Sequence, residues 1–306
     1  MALRFQAGPR AAQSQPSRGA MLAALYDTGE INGWREGMQA VTLALLGAWP
    51  GSAPLAPQPW GERPASPAML SEATPRIGGR GADDQNLRYP GLGDVVLEVG
   101  CGDGGLLAAL DAPGRTLLGL DLHPAALGRA QAGAAVRLVQ ADAQQIPCAD
   151  GSVGALLALD VFDQQGVDLA AALAESRRAL APDGVLILRV SAHPWLYGPH
   201  DAAFNSGRRY GRAELLAALA DAGFHVRRVT YANSLLAPLL ILQRLLQRWR
   251  VLSWNPAIYR AGWSNRLVAA ALKTEARWLR RRNLAFGLSL IVIAEKREGR
   301  KLKIEN

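Results

Sequence analysis

The stretch Val95-Val96-Leu97-Glu98-Val99-Gly100-Cys101-Gly102-Asp103-Gly104-Gly105 limits the folds open to this chain more than any other part of it. Val95, Val96, Leu97 and Val99 form an apolar run without alternation, the pattern of a strand covered on both faces, inside a sheet with helices on two sides. The glycines that follow let the backbone turn tightly and approach a ligand without a Cβ in the way. Leu106, Leu107 and Leu110 then recur at helical spacing. Buried strand, glycine turn and helix start together make a cradle in which free N–H groups meet a polar or anionic group.

The same alternation continues. The pattern predicts strands over 116–120, 136–139, 153–159, 185–190, 224–231 and 287–295. Helices are expected over 124–132, over 168–180 (stopped by Pro182-Asp183-Gly184) and over 212–222 (ended by Gly223). Strands and helices alternating at this spacing imply an α/β fold, a doubly wound, Rossmann-like parallel sheet with right-handed crossovers.

Around that core the texture changes. Residues 1–19 read as a disordered tail, and 20–50 as an N-terminal helical cap in two pieces broken near Asn32-Gly33. Residues 51–93 hold seven Pro and seven Gly and read as a linker or long loop. The core is expected over 94–231, a helical insertion over 232–286, and the last strand with a basic tail over 287–306.

Of the 306 residues, 49% are hydrophobic and 20% charged, enough apolar material for a full core. No apolar run approaches the ~20 residues needed to span a bilayer. The first twenty residues lack the apolar segment of a secretion signal, so the expected location is cytoplasmic. Cys101 and Cys148 are too few for a disulfide scaffold, and no HxxxH or CxxC spacing exists, so no metal is expected.

The net charge of +8 is local. Between 244 and 282 ten Lys and Arg face Glu275 alone, whereas residues 1–243 sum to −3. This cationic stretch follows an apolar run holding Leu235, Leu236, Leu239, Leu240, Leu242, Leu245 and Leu246, and includes Trp249 and Trp254. Two readings stay open: a lid over an acceptor pocket, or a helix (234–254) lying on an anionic membrane surface. Nucleic acid is the less expected partner.

The glycine loop fits two templates. Gly100, Gly102 and Gly105 satisfy GxGxxG for a dinucleotide; Glu98, Gly100, Gly102 and Gly104 satisfy ExGxGxG. Asp121, ending the second strand, can accept from ribose hydroxyls in either case. A carboxylate at Glu98 suits a ligand ammonium and repels a pyrophosphate. Asp142, ending the third strand, is placed to read an adenine amino group, and the insertion stands where a second cofactor half would begin.

With these features the chain resembles the class I S-adenosylmethionine-dependent methyltransferases of the type 11 kind. The matching stretches are VVLEVGCGDGG, LLGLDLHPAAL, VQADAQQIP, LALDVF, LAESRRALAPDGVLILRV and RRYGRAELLAALADAGF, about 140 residues together. The resemblance implies S-adenosylmethionine as cofactor and a seventh strand antiparallel to the others. It implies that Glu98, Gly100 and Gly102 contact the methionine moiety, Asp121 the ribose, and Asp142 and Ala143 the adenine. Cys101, Gly104 and Leu122 join the cofactor contacts, and Asp160 lies near the transferred methyl. Similar proteins close the cofactor site with an N-terminal helix, here the one carrying Trp34 and Arg35.

Methyl transfer from a sulfonium is an in-line displacement that needs alignment, exclusion of water and sometimes a base. The family's fourth motif carries a histidine; this chain reads Asp160-Val161-Phe162-Asp163-Gln164 there. His200 is the candidate base instead, oriented by Asp201 or Asp160. The acceptor is expected to be a small molecule or lipid-like, with an acidic group suiting the basic insertion. The Asn/Asp-Pro-Pro-aromatic motif of nucleobase amino-methylating enzymes is absent. Two other functions compatible with the pattern are a catalytically silent adapter with this fold and an NAD-type oxidoreductase.

Overall fold

The structure is a computed structural model and describes residues 33–48, 92–128, 136–249 and 263–296. The expected tail 1–19, the first piece of the N-terminal cap, nearly all of the 51–93 linker, Trp254 and the tail beyond 296 lie outside the described residues.

Seven strands form one sheet: β1 (Val95–Val99), β2 (Thr116–Asp121), β3 (Val136–Gln140), β4 (Val153–Leu159), β5 (Leu180–Ser191), β6 (Phe224–Ala232) and β7 (Ser289–Lys296). Their order is β3-β2-β1-β4-β5-β7-β6. β1 to β5 pair in parallel, whereas β7 runs antiparallel to both β5 and β6. The antiparallel seventh strand implied by the resemblance is therefore present. Expected and observed strands differ by a residue or two, except β5, which starts at Leu180 and absorbs the Pro182-Asp183-Gly184 stop.

The helices in chain order are α1 (Gly33–Gly47), α2 (Gly105–Ala109), α3 (Pro124–Leu127), α4 (Leu169–Ala179), α5 (Pro199–Ala203), α6 (Arg212–Asp221), α7 (Ala237–Arg248) and α8 (Trp263–Leu279). α4 starts where Asp168 accepts the N–H groups of Ala170 and Ala171 at 2.8 and 3.1 Å, offsetting two of the orphan donors of a helix start.

Side-chain alternation along the strands divides the core in two. Leu97, Val99, Leu156, Leu186 and Leu188 face one side and pack with Leu173 of α4 and Leu215 of α6. Val96, Leu157, Val185, Ile187 and Ile293 face the other and are covered by Met38, Val41 and Leu45 of α1 and by Leu272, Ala276 and Leu279 of α8. The 232–286 insertion thus divides between two places. α8 belongs to the helical layer of the sheet, while α7 rests at the carboxyl ends of the strands, with Ala237, Leu240 and Ile241 against Leu196 and Leu288.

Glu275 of α8, fully buried, explains why that helix stays docked. Its two oxygens accept from the backbone N–H of Asn233 at 2.7 Å and of Leu235 at 2.6 Å, closing the turn between β6 and α7. Burial raises its pKa, and those hydrogen bonds pull it back. Glu275→Ala strands both donors; at roughly 1–3 kcal/mol for each buried unpaired group the expected loss is about 2–6 kcal/mol. Glu275→Gln keeps one acceptor and should lose about half as much. Thermal melts of both variants check this, and equal melting temperatures for Ala and Gln would refute the two-acceptor account.

Candidate functional site

The site lies where β1 and β4 leave the sheet. Gly100, Gly102 and Gly104 all take left-handed backbone, with φ of 72°, 56° and 73°. The N–H groups of Gly100 and Cys101 both reach the Leu120 carbonyl, at 2.6 and 3.0 Å, folding the loop over the end of β2. A Cβ at Gly100 would overlap the Val161 side chain, so glycine is needed there for space as well as for φ. Gly102 is the opposite case: nothing stands within 4 Å of where its Cβ would be. Gly104 caps the short α2 without any side-chain bond.

Glu98 shares the α1 face of the sheet with Val96. It is 6% exposed, and its Oε2 is buried without a hydrogen-bond partner. Burial pushes its pKa up to about 8, against the pull of Arg189 and Arg35. A buried carboxyl with one unsatisfied oxygen fits a cationic nitrogen brought by a ligand.

Asp121 is buried at the end of β2. Its Oδ2 accepts from Gly102 N and its Oδ1 from His123 N, both at 2.9 Å, so it stitches the glycine loop to the start of α3. Each oxygen keeps a further lone pair for a hydroxyl. Leu122, beside it, is 58% exposed, an apolar surface on the open side. Asp142 turns the chain by accepting from Gln144 N at 2.8 Å, and Ala143 is buried in the core next to it. Cys101 is a buried thiol whose pKa burial raises, which excludes a reactive thiolate.

The helix carrying Trp34 and Arg35 lies over this loop. Arg35 pairs with Asp103, whose Oδ1 also accepts from Gly105 N at 3.1 Å, and Gln39 donates to the Gly105 carbonyl at 3.1 Å. Asp103 therefore serves as the link between loop and helix.

Asp160 follows β4 with φ 57°. Arg189 of β5 grips both its oxygens, Nε at 3.0 Å and Nη2 at 2.8 Å, and its Nη1 reaches Thr42 Oγ1 of α1 at 3.3 Å. The carboxylate that lies near His200 is that of Asp201. His200 lies on α5, stacked on Phe204 with centroids 4.7 Å apart and its Nδ1 3.9 Å from Asp201 Oδ1. Burial lowers its pKa, so it is neutral at pH 7. Asp201 is itself a hub: it accepts from Arg209 at 2.6 and 3.0 Å, from Arg244 at 3.0 Å and from Gly198 N at 2.8 Å. Burial works against its charge, yet the bonds with His200 and Arg209 and the nearby Arg244 hold its pKa well below the usual carboxylate range.

Three residues here escaped the sequence reading. Arg189 is one, though a single arginine within the apolar run Val185–Val190 was a legible signal. Asp163 is another: 1% exposed, it accepts from Ser191 N at 2.8 Å, and burial with the charge of Asp160 raises its pKa to about 6. His193 is the third, with φ 64°, stacked on Phe286 at 4.6 Å and Tyr231 at 5.5 Å and bonded to the Gly287 carbonyl at 3.0 Å. Among the described residues no group of three or more His, Cys, Asp or Glu is placed to hold a metal ion, and no helix is long and apolar enough to cross a membrane.

The state of Glu98 has a measurable signature. The folded chain keeps this proton up to about pH 8, while the unfolded chain releases it near its ordinary value of 4.5. Between those values the native state binds more protons, so this group's contribution to stability falls as pH rises. Glu98→Gln removes that slope, and its melting temperature relative to wild type should climb by roughly 5 °C between pH 5 and pH 8. Parallel curves for the two proteins would rule out a neutral Glu98.

Comparison with known proteins bears on the core of the chain. Residues 97–188 match the family model described as a methyltransferase domain. No curated protein matches the chain. A solved geranyl diphosphate methyltransferase in complex with SAM aligns at 18% identity over 92% of this chain and 97% of its own, with a TM-score of 0.49. Geranyl diphosphate C-methyltransferase from Streptomyces coelicolor A3(2) aligns at 18% identity over 67% of this chain and 73% of its own, with a TM-score of 0.46. Residues 97–188 thus carry a match to the methyltransferase-domain family, and they lie within the strand order and glycine loop described above.

Proposed function

We propose that the protein is an S-adenosylmethionine-dependent methyltransferase acting on a small-molecule or lipid-like acceptor. The observation that carries the reading is the buried, unpaired oxygen of Glu98, on the strand that leads into the glycine loop with its open Gly102. The α-ammonium of the cofactor's methionine moiety would satisfy that oxygen and ionise Glu98, since a cation beside a raised carboxyl lowers its pKa. Asp121 would take the ribose hydroxyls, with Leu122 beside them, and Asp142 and Ala143 the adenine. Bound S-adenosylmethionine supplies an electrophilic methyl group on a sulfonium.

The chain's own residues do the rest. The Arg189–Asp160 fork fixes the backbone after β4 and holds the Asp160 side chain in place. His200, neutral at pH 7, is the group in this reading that takes a proton from the acceptor, and Asp201 sets its ring. His193, Tyr231, Phe286 and the half-exposed Trp195 supply an apolar, aromatic wall at the carboxyl ends of β5 and β6 and the amino end of β7, which suits a hydrophobic acceptor. An acidic group on that acceptor would suit the basic insertion.

Calorimetric titration with S-adenosylmethionine, S-adenosylhomocysteine and NAD tests the cofactor. Micromolar binding of the sulfur ligands is expected, with release of about one proton at pH 7 in wild type and none in Glu98→Gln. Asp121→Asn, which keeps one acceptor for the loop, should weaken binding roughly tenfold or more. Binding of NAD instead would overturn the proposal. Once an acceptor is in hand, the base makes its own prediction. Because its pKa lies below the ordinary histidine value of 6.5, the rate should stay level through pH 7 and fall only on acidification below that value. His200→Gln should abolish that limb and cost roughly 100-fold or more in rate.

A further inference from the structure

Helix α7 carries apolar residues on two sides, and only one is covered. Ala237, Leu240 and Ile241 pack on Leu196 and Leu288, and Arg244 ties the same side to the Leu196 carbonyl at 2.7 Å. The opposite side presents Leu235, Leu239, Leu242 and Trp249, at spacings of four, three and seven that keep them on one helix face. They are 44%, 66%, 53% and 67% exposed. An apolar ridge of this extent on an otherwise well-packed domain marks a surface that meets something else.

The ridge is continuous with the cationic end of α8. The Ser234 hydroxyl donates to the carbonyl of Phe286, which is itself 43% exposed, so the start of α7 and the approach to β7 form one rim. The turn at 280–283 is anchored beneath by Arg228, which donates to the Leu279 carbonyl at 2.5 Å, to the Arg282 carbonyl at 3.2 Å and to Asn283 Oδ1 at 2.8 Å. With its backbone held from below, the turn leaves Arg280, Arg281 and Arg282 exposed around a cleft with Trp278, and none has an acidic partner among the described residues.

We infer that this rim is a docking surface for an anionic phospholipid membrane, with the leucine ridge and Trp249 entering the headgroup–acyl boundary while the arginine turn meets lipid phosphates. An outward apolar helix face, tryptophans at its border and exposed guanidiniums are the three features that interfacial binding requires. Other occupants match only part of it. A nucleic acid would use the arginines and leave the ridge wet, and a second copy meeting this rim through a twofold axis would bring like charges together. The inference concerns binding alone and stands apart from methyl transfer.

Flotation of the full chain with phosphatidylcholine vesicles, and with vesicles mixing in phosphatidylglycerol, tests it. Wild type should float with the anionic vesicles only. Joint Arg280→Ala, Arg281→Ala and Arg282→Ala should lower partitioning roughly 100-fold, and joint Leu239→Ser and Leu242→Ser at least tenfold. Melting temperatures and S-adenosylmethionine titrations of both variants should match wild type, which separates loss of docking from loss of fold or of cofactor. No retention on anionic vesicles, or retention that both variants keep, would overturn the inference. So would a dimer in sedimentation that Leu239→Ser dissociates, or salt-dependent RNA binding by a protein that ignores vesicles.

Discussion

The guanidinium of Arg189 holds together what the rest of the site depends on. From the middle of β5 it grips both oxygens of Asp160 and reaches Thr42 on α1, so three separate parts of the chain share one positive charge. The same charge is the largest influence opposing the burial of Glu98. Buried charges are tolerated when paired, and here the pairing is deliberately incomplete: Asp160 is satisfied, Glu98 is not. The imbalance leaves the fold with a carboxyl that gains from the arrival of a cation. In the proposed function, binding and ionisation are linked in this one group.

Local pattern carried most of the architecture. β1 and β4 were legible because unbroken apolar runs admit few alternatives, and helices α4 and α6 because Asp168 and Gly223 punctuate them. The glycine loop was legible as a loop, since left-handed φ at Gly100, Gly102 and Gly104 is what such spacing requires. What stayed hidden was partnership. Nothing local says that Asp160 belongs to Arg189, 29 positions away, or that Glu275 closes a turn 40 residues earlier. His200 next to Asp201 read as a pair, yet Asp201 distributes its oxygens among two arginines and a backbone N–H. Adjacency in sequence predicted that proximity and not the two arginines that share the carboxylate.

The 232–286 insertion shows the same limit on a larger scale. Its apolar and basic composition invited a single role, either lid or surface. The structure divides it by burial: α8 turns Leu272, Ala276 and Leu279 into the core, while α7 turns much of its leucine outward. Both helices are strongly amphipathic, and amphipathicity tells which side is apolar without telling what it faces.

The packing of α1 against α8 also orders events in time. The face of the sheet built from Val96, Leu157 and Ile187 is covered by the first described helix and by the last, two segments more than 200 residues apart. During synthesis the helices that cover the opposite face, α4 and α6, emerge well before α8, although both faces also take residues from β7. The half of the core that contains Glu98 is therefore the last to receive its covering helices.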